Sequence, residues 1–206
     1  MTTAVLDGGT YYHQETIHGP RFRDRFDRVI HAPALTAADL AGVTTLIVPD
    51  RISPTLLRRH RDLLNGFRAA GRTLVVLGEN DVMSWLDGVS WSPRPTNFWW
   101  WLDPQAVPPH RFPSLDHPLF RHIRPADTIW HFHGVLQPPA GAEILVSVPA
   151  DPDGRDQGGA LLYEDRATRP GRLIVATLDP FYHHGSRFMP ATTRFLDGFL
   201  PWLKTL

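Results

Sequence analysis

The chain has no cysteine, which excludes disulfides, thiolate metal sites and cysteine nucleophiles together. It has no excess of either charge, since lysine plus arginine and aspartate plus glutamate number 21 each. Without a positive field to hold a polyanion, nucleic acid is not an expected partner. No apolar run approaches the roughly 20 residues that span a bilayer, so a membrane is not expected either. The amino terminus runs Met1-Thr2-Thr3-Ala4-Val5-Leu6 into Asp7-Gly8-Gly9 and lacks the basic and apolar regions of a secretion signal, which points to a cytoplasmic location. Nucleotide loops are missing too: no Gly-x-Gly-x-x-Gly follows the first apolar run, and no Gly-x-x-x-x-Gly-Lys-Ser/Thr occurs. Ser84, Ser90 and Ser186 stand outside any Gly-x-Ser-x-Gly elbow.

What is present reads as one α/β domain over residues 1–206, a length sufficient for a sizeable core. Thr3 to Leu6 is a short buried strand closed by Asp7-Gly8-Gly9, where glycine permits positive φ and close approach of the backbone to a ligand. Asp27 to Ala32 and Thr44 to Val48 follow as strands, the latter apolar and closed by Pro49-Asp50, as a parallel strand covered on both faces would be. Ser53 and Pro54 start a helix in which Leu56, Leu57, His60, Leu63, Leu64, Phe67 and Ala70 recur at three- and four-residue spacing until Gly71. Thr73 to Leu77 is the next strand. This alternation predicts a flavodoxin-like, doubly wound, mostly parallel sheet. Glu143 to Val148, Ala160 to Tyr163 and Leu173 to Leu178 are separated by turns too short for helical crossovers, so late antiparallel strands are expected. A last helix begins near Pro190, buries Thr192, Phe195, Leu196, Phe199 and Leu203, and is kinked or ended by Pro201.

Between the two regions, Gly88 to Ala140 forms a Pro/Trp-rich insert. The chain's 20 prolines are about twice the usual share of about 5 %, and half of them fall in this insert, which excludes long regular helix there.

The order of elements resembles the class I glutamine amidotransferase-like superfamily, and its trehalose-utilisation (ThuA-like) members in particular. The matching residues are Leu6-Asp7-Gly8-Gly9, Thr45 to Asp50 with the following helix, Ala70-Gly71-Arg72 with Thr73 to Gly78, His117-Pro118-Leu119-Phe120, and Gly171 to Leu178 before a polar turn and the closing helix. In amidotransferases of this superfamily a cysteine stands in the turn after the strand matched by Thr73 to Leu77, and a His-Pro-Glu turn follows the late strand. Leu77-Gly78-Glu79 and Asp179-Pro180-Phe181 fill those places here. The resemblance therefore implies the fold without thiol-dependent release of ammonia, and no catalytic residue carries over.

In open α/β sheets ligands bind beyond the carboxyl ends of the strands, where four turns should converge: Asp7 to Tyr12, Pro49 to Arg51, Gly78 to Asp81 and Asp179 to His184. Candidate catalytic groups are Glu79, as base or ligand in the nucleophile turn, with Asp179 and His183. Candidate ligand-binding residues are Asp7, Gly8, Gly9, Asp50, Asn80, His131, His133, His184, Trp99 and Trp101. His131 and His133 alternate in an expected strand and so share a face, a geometry that serves either two ligands of one ion or hydrogen-bonded structural histidines. With no His-Glu-x-x-His pair and no diagnostic carboxylate spacing, no residue is assigned as a metal ligand and no cofactor is named. Asn97-Phe98-Trp99-Trp100-Trp101 either offers flat faces to a sugar ring or packs against the sheet or a partner subunit. Three readings result: a domain binding a small polar molecule, for which the ThuA-like resemblance supplies a sugar; a hydrolase or isomerase built on carboxylates and histidines, with or without a divalent metal; and a structural or oligomerising domain, with a homo-oligomer as its partner state.

Overall fold

The computed structural model of the protein describes residues 1–94, 103–152, 154 and 156–206. Nine strands form one sheet: β1 (Thr3–Asp7), β2 (Arg28–His31), β3 (Thr45–Val48), β4 (Thr73–Leu77), β5 (Ser90–Pro93), β6 (Gly134–Gln137), β7 (Glu143–Val148), β8 (Gly159–Asp165) and β9 (Leu173–Ala176), in the order β2-β1-β3-β4-β9-β8-β6-β5, with β7 also paired to β8. The first five in this order are parallel, and the register runs Val5 to Ile47, Ile47 to Val75 and Val75 to Ile174. β8 then reverses direction beside β9, and β6 and β7 each lie antiparallel to β8. Strands stand at all three late positions expected, with β7 and β8 antiparallel to each other and β9 antiparallel to β8 but parallel to β4. The insert adds what apolar patterning did not reveal, because Ser90–Pro93 and Gly134–Gln137 are short and carry polar or glycine residues, yet pair with each other and extend the sheet.

Every residue of β1, β3 and β9 is buried, as expected for strands covered on both sides. Alternation sends Val5, Ile47, Val75 and Ile174 to one face, where α5 (Pro190–Leu203) lays down Phe195, Leu196, Phe199 and Trp202. Leu6, Leu46, Val48, Leu74 and Val76 go to the other face and meet Leu57, Leu64, Phe67 and Trp85. α5 continues two residues beyond Pro201, so the helix ends within a turn of the proline. The single helix expected over residues 54–70 is two, α2 (Pro54–Arg59) and α3 (Arg61–Ala69). At His60 (φ −99°, ψ 12°) the N–H is shared between the carbonyls of Leu56 and Leu57, a tightened turn that divides them. Ser53 precedes Pro54 as expected but makes no side-chain cap. The remaining helices are short: α1 (Tyr11–His13), continued by a wider π-helical turn over Gln14–His18, and α4 (Pro180–Gly185) after β9. No helix among the described residues is long and apolar enough to cross a membrane.

At the end of the sheet remote from α4, Glu164 is buried among cations. One carboxylate oxygen lies 2.7 Å from both Arg166 Nε and Arg172 Nε, and the other lies 2.6 Å from His117 Nε2. Burial alone would raise its pKa, but His117, Arg166 and Arg172 outweigh that and lower it from 4.5 to about 2. A depressed folded pKa contributes stability that is complete above the unfolded value and is lost as pH falls through the folded one. Glu164→Gln should therefore cost about 3 kcal/mol at pH 7 by stranding its cations. Melting curves of the two proteins should converge between about pH 4.5 and pH 2; parallel curves across that range would remove Glu164 from the acid transition.

Candidate functional site

β3, β4 and β9 end side by side, and the three turns that follow them lock together. Gly78, first after β4, has φ +63° and donates its N–H to Ala176 O at 2.8 Å. A Cβ there would fall 2.4 Å from the Asp50 Cβ and 2.9 Å from the Asp179 Cβ. The turn after β4 thus has room for no side chain at this residue. Asp50, after β3, reaches across to α4 and accepts hydrogen bonds from the N–H groups of Phe181 (2.8 Å) and Tyr182 (2.9 Å), two of the donors that a helix start leaves unpaired.

Asp179, at the head of α4, is the hub. Its Oδ2 accepts from an Arg51 guanidinium N–H at 3.1 Å, while Oδ1 lies 3.2 Å from His183 Nε2 and 3.4 Å from Trp130 Nε1. Its side chain is 1 % exposed. Arg51 is held in turn: its backbone is left-handed (φ 59°), its N–H donates to Glu79 O at 2.9 Å, and its guanidinium carbon lies 3.8 Å from the centroid of the Tyr182 ring. The same guanidinium stands 3.9 Å from Glu79 Oε2, and Glu79 Oε1 lies 3.2 Å from His133 Nδ1. His131 Nε2 faces His183 Nε2 at 3.1 Å. Arg51, Asp81 and Arg187 are the non-glycine residues with positive φ among those described. Two of the three stand in the turns after β3 and β4, so backbone strain is concentrated at this edge.

The charge states follow from these contacts. Burial pushes Asp179 up, but the hydrogen bond with His183 and the fields of His183 and Arg51 outweigh it and hold the carboxyl below its usual range. Asp50 goes the other way: burial, then the Asp179 charge, push it well above the ordinary range against the pull of its two amide donors. Burial lowers His131 to about 4, so its ring is neutral at pH 7.

The turn after β1 forms an adjoining cluster. Asp7 accepts from Gly9 N–H at 2.8 Å and from Gln14 Nε2 at 3.1 Å, and pairs with His18 Nε2 at 2.9 Å. Burial opposes ionisation, but His18 and the Gly9 amide hold Asp7 below its ordinary value. Gly8 donates its N–H to His13 Nδ1 at 3.1 Å, which leaves Nε2 as the protonated nitrogen, facing Asp50 O at 2.9 Å. His13 thereby ties the first turn to the second.

Of the residues expected at the site, Asp50, Glu79, His131, His133, Asp179 and His183 are brought together, with Asp7, Gly8 and Gly9 beside them. Asn80 is buried and holds its turn by donating to Leu77 O at 3.2 Å and by accepting the Trp85 indole N–H on its backbone oxygen at 3.0 Å. His184 is not part of the cluster: on α4 it turns to Thr193 Oγ1 at 2.8 Å and to the Phe22 ring. The strand expected to align His131 and His133 begins only at Gly134, and their rings meet at right angles, one towards Asp179 and the other towards Glu79. The His133 carbonyl still accepts from Arg94 N–H at 3.0 Å, beside the end of β5. Trp99 and Trp101 lie outside the described residues. Arg51, Tyr182, Trp130, His13 and His18 were not singled out from the sequence. A cation next to the Pro49-Asp50 turn was a usable signal for Arg51, whereas nothing local marks Trp130. A cleft of about 200 Å³ opens beside the cluster, lined by Gly78, Glu79, Asn80, Asp81, Met83 and Trp91 among others.

A parallel block with a reversed late strand and polar turns at its carboxyl edge defines a flavodoxin-like α/β fold. Comparison of the sequence with family models and with curated proteins finds no match. Among solved structures it is similar to a Thermoplasma acidophilum protein provisionally described as a GMP synthase subunit (TM-score 0.60, 13 % identity, covering 100 % of this chain and 94 % of that one). It is also similar to the N-terminal domain of mmIFT52 (TM-score 0.58, 12 % identity, covering 100 % and 98 %). At such identities the likeness concerns the fold alone.

The packing at Gly78 yields a direct expectation. Gly78→Ala should destabilise the protein by roughly 2–4 kcal/mol, combining the left-handed penalty with overpacking against Asp50 and Asp179. Urea unfolding measures this, and a change below about 0.5 kcal/mol would mean the turn has room for a side chain.

Proposed function

We propose that the strand-end site binds a small polar ligand of carbohydrate type, without thiol chemistry. The carrying observation is the convergence of Asp179, Arg51, Glu79, His131, His133 and His183 next to the cleft that Glu79 and Trp91 share. Carboxylate acceptors, a guanidinium and imidazoles placed within a few ångströms suit the paired donor and acceptor character of neighbouring hydroxyls, and an indole suits the apolar face of a ring. A cleft of about 200 Å³ is smaller than the roughly 300–1,000 Å³ that encloses drug-sized molecules, which favours a ligand of one ring. The ThuA-like resemblance of the sequence supports the sugar class, and Trp99 and Trp101 belong to the same insert as Trp91.

A second reading, a hydrolase or isomerase, draws support from one feature. Glu79 is 38 % exposed at the cleft and has His133 at 3.2 Å, a carboxylate–imidazole pair able to exchange a proton with a bound molecule. In that reading Asp179 and His183 hold the charge balance behind it.

A thermal-shift screen of monosaccharides and their acids separates these ideas from a purely structural role. A true ligand at 100 times its Kd should add about 2.7 kcal/mol of stability. Glu79→Gln should fold normally and weaken that ligand about 10-fold or more, the range of one charge-assisted hydrogen bond. A screen in which no sugar stabilises the native protein would reject the carbohydrate reading. Unchanged binding in the variant would move the ligand away from Glu79.

A further inference from the structure

The arrangement of His131, His183 and Asp179 asks more of its hydrogens than it has. His183 Nε2 lies 3.1 Å from His131 Nε2 and 3.2 Å from Asp179 Oδ1. An imidazole nitrogen carries at most one hydrogen. If His183 Nε2 is protonated, that hydrogen serves two acceptors at once. If His131 Nε2 is protonated instead, the bare His183 nitrogen confronts a carboxylate oxygen. Water cannot readily relieve either state, since the side chains of His183 and Asp179 are 2 % and 1 % exposed and His131 is 6 % exposed.

A cation satisfies all three lone pairs together. Ligand atoms bound at about 2.0–2.1 Å around a tetrahedral ion stand about 3.3 Å apart, close to the two separations observed. One ligand atom from each of the three residues lies within 4.8 Å of the others. We infer that His131 Nε2, His183 Nε2 and Asp179 Oδ1 form a three-ligand site for one divalent first-row transition ion of the zinc class. Two imidazoles and a carboxylate are donors of the right softness, and three protein ligands leave at least one coordination position for water or a bound molecule. Arg51 takes the other oxygen of Asp179, and Oδ1, which the Trp130 indole N–H approaches only at 3.4 Å, keeps a lone pair for the ion. Glu79, near the same guanidinium, adds negative charge on the cleft side.

A second group, His117, Glu143 and Glu164, is comparably close but differs in kind. Both oxygens of Glu164 already accept from guanidinium groups, Oε1 from Arg166 and Oε2 from Arg166 at 2.9 Å, with His117 on Oε2 as well. Two guanidinium cations fill the place an ion would take, so this group serves as the control.

The inference uses the site of the proposed function but does not depend on the ligand being a sugar. The test is titration of untagged, chelator-treated protein with Co²⁺, read by its visible d–d absorption, followed by competition with Zn²⁺. One equivalent should saturate a band of the intensity typical of a four- or five-coordinate ion. His131→Gln and His183→Gln should each weaken binding by about 100-fold or more, beyond the 10–100-fold typical of losing a residue behind the ligands, whereas His117→Gln should leave it unchanged. Native protein that shows no saturable band overturns the inference whether or not the variants fold. So does binding that is lost in His117→Gln and kept in His131→Gln. Repeating the sugar thermal shifts on chelated protein keeps the two proposals apart, because sugars that bind without Co²⁺ affinity, or the reverse, reject one and leave the other standing.

Discussion

An ionised carboxylate taken out of water costs several kcal/mol unless charge and hydrogen bonds replace its hydration. Asp179 meets that requirement with the Arg51 guanidinium on one oxygen and His183 and Trp130 on the other. Each partner comes from a different part of the chain: the turn after β3, α4 itself and the segment leading into β6. Keeping the carboxylate charged therefore fixes the relative placement of three elements at the carboxyl edge of the sheet. Asp50 completes the lock by holding the first amides of α4. Removing either carboxylate would leave buried donors unpaired, which is why this edge behaves as one unit and not as four independent turns.

The same edge departs from the pattern of the enzymes that the sequence resembles. The resembling enzymes need a side chain exposed at the turn after β4 and a histidine after the late strand. Here Gly78 passes between the Cβ atoms of Asp50 and Asp179, and the late turn presents Asp179 where that histidine would stand. Both departures from the resembling pattern meet at one point, because the glycine after β4 packs against Asp179 of the late turn. Histidines reach the site from other positions, His183 from one turn along α4 and His131 and His133 from the insert.

The parallel half of the fold was legible in the sequence because its strands are apolar runs ending in Gly, Pro and Asp turns, and the period of Leu56 to Ala70 matches a helix against the sheet. β5 and β6 were not legible. Their four-residue stretches carry no alternation, and only pairing with each other and with β8 makes them strands. The division of the helix at His60 left no mark in composition either. At the site, Asp50, Glu79 and Asp179 could be placed by counting to the end of each strand. Arg51 and Trp130 could not be given roles this way, since what defines them is a carboxylate 128 and 49 residues away, respectively. His131 and His133 were rightly paired in space but for the wrong reason, because irregular backbone and not strand alternation sets their positions.

Two neighbouring buried aspartates, one pushed above and the other held below the ordinary carboxyl range, underlie the whole site. Side-chain carboxyl ¹³C NMR titration, assigned with Asp50→Asn and Asp179→Asn, reads both directly. Asp179 should remain ionised to below the ordinary Asp range and Asp50 should take up its proton above it. If Asp179 instead titrates at or above the usual aspartate value of about 3.9, the charged hub does not exist and the site built around it falls.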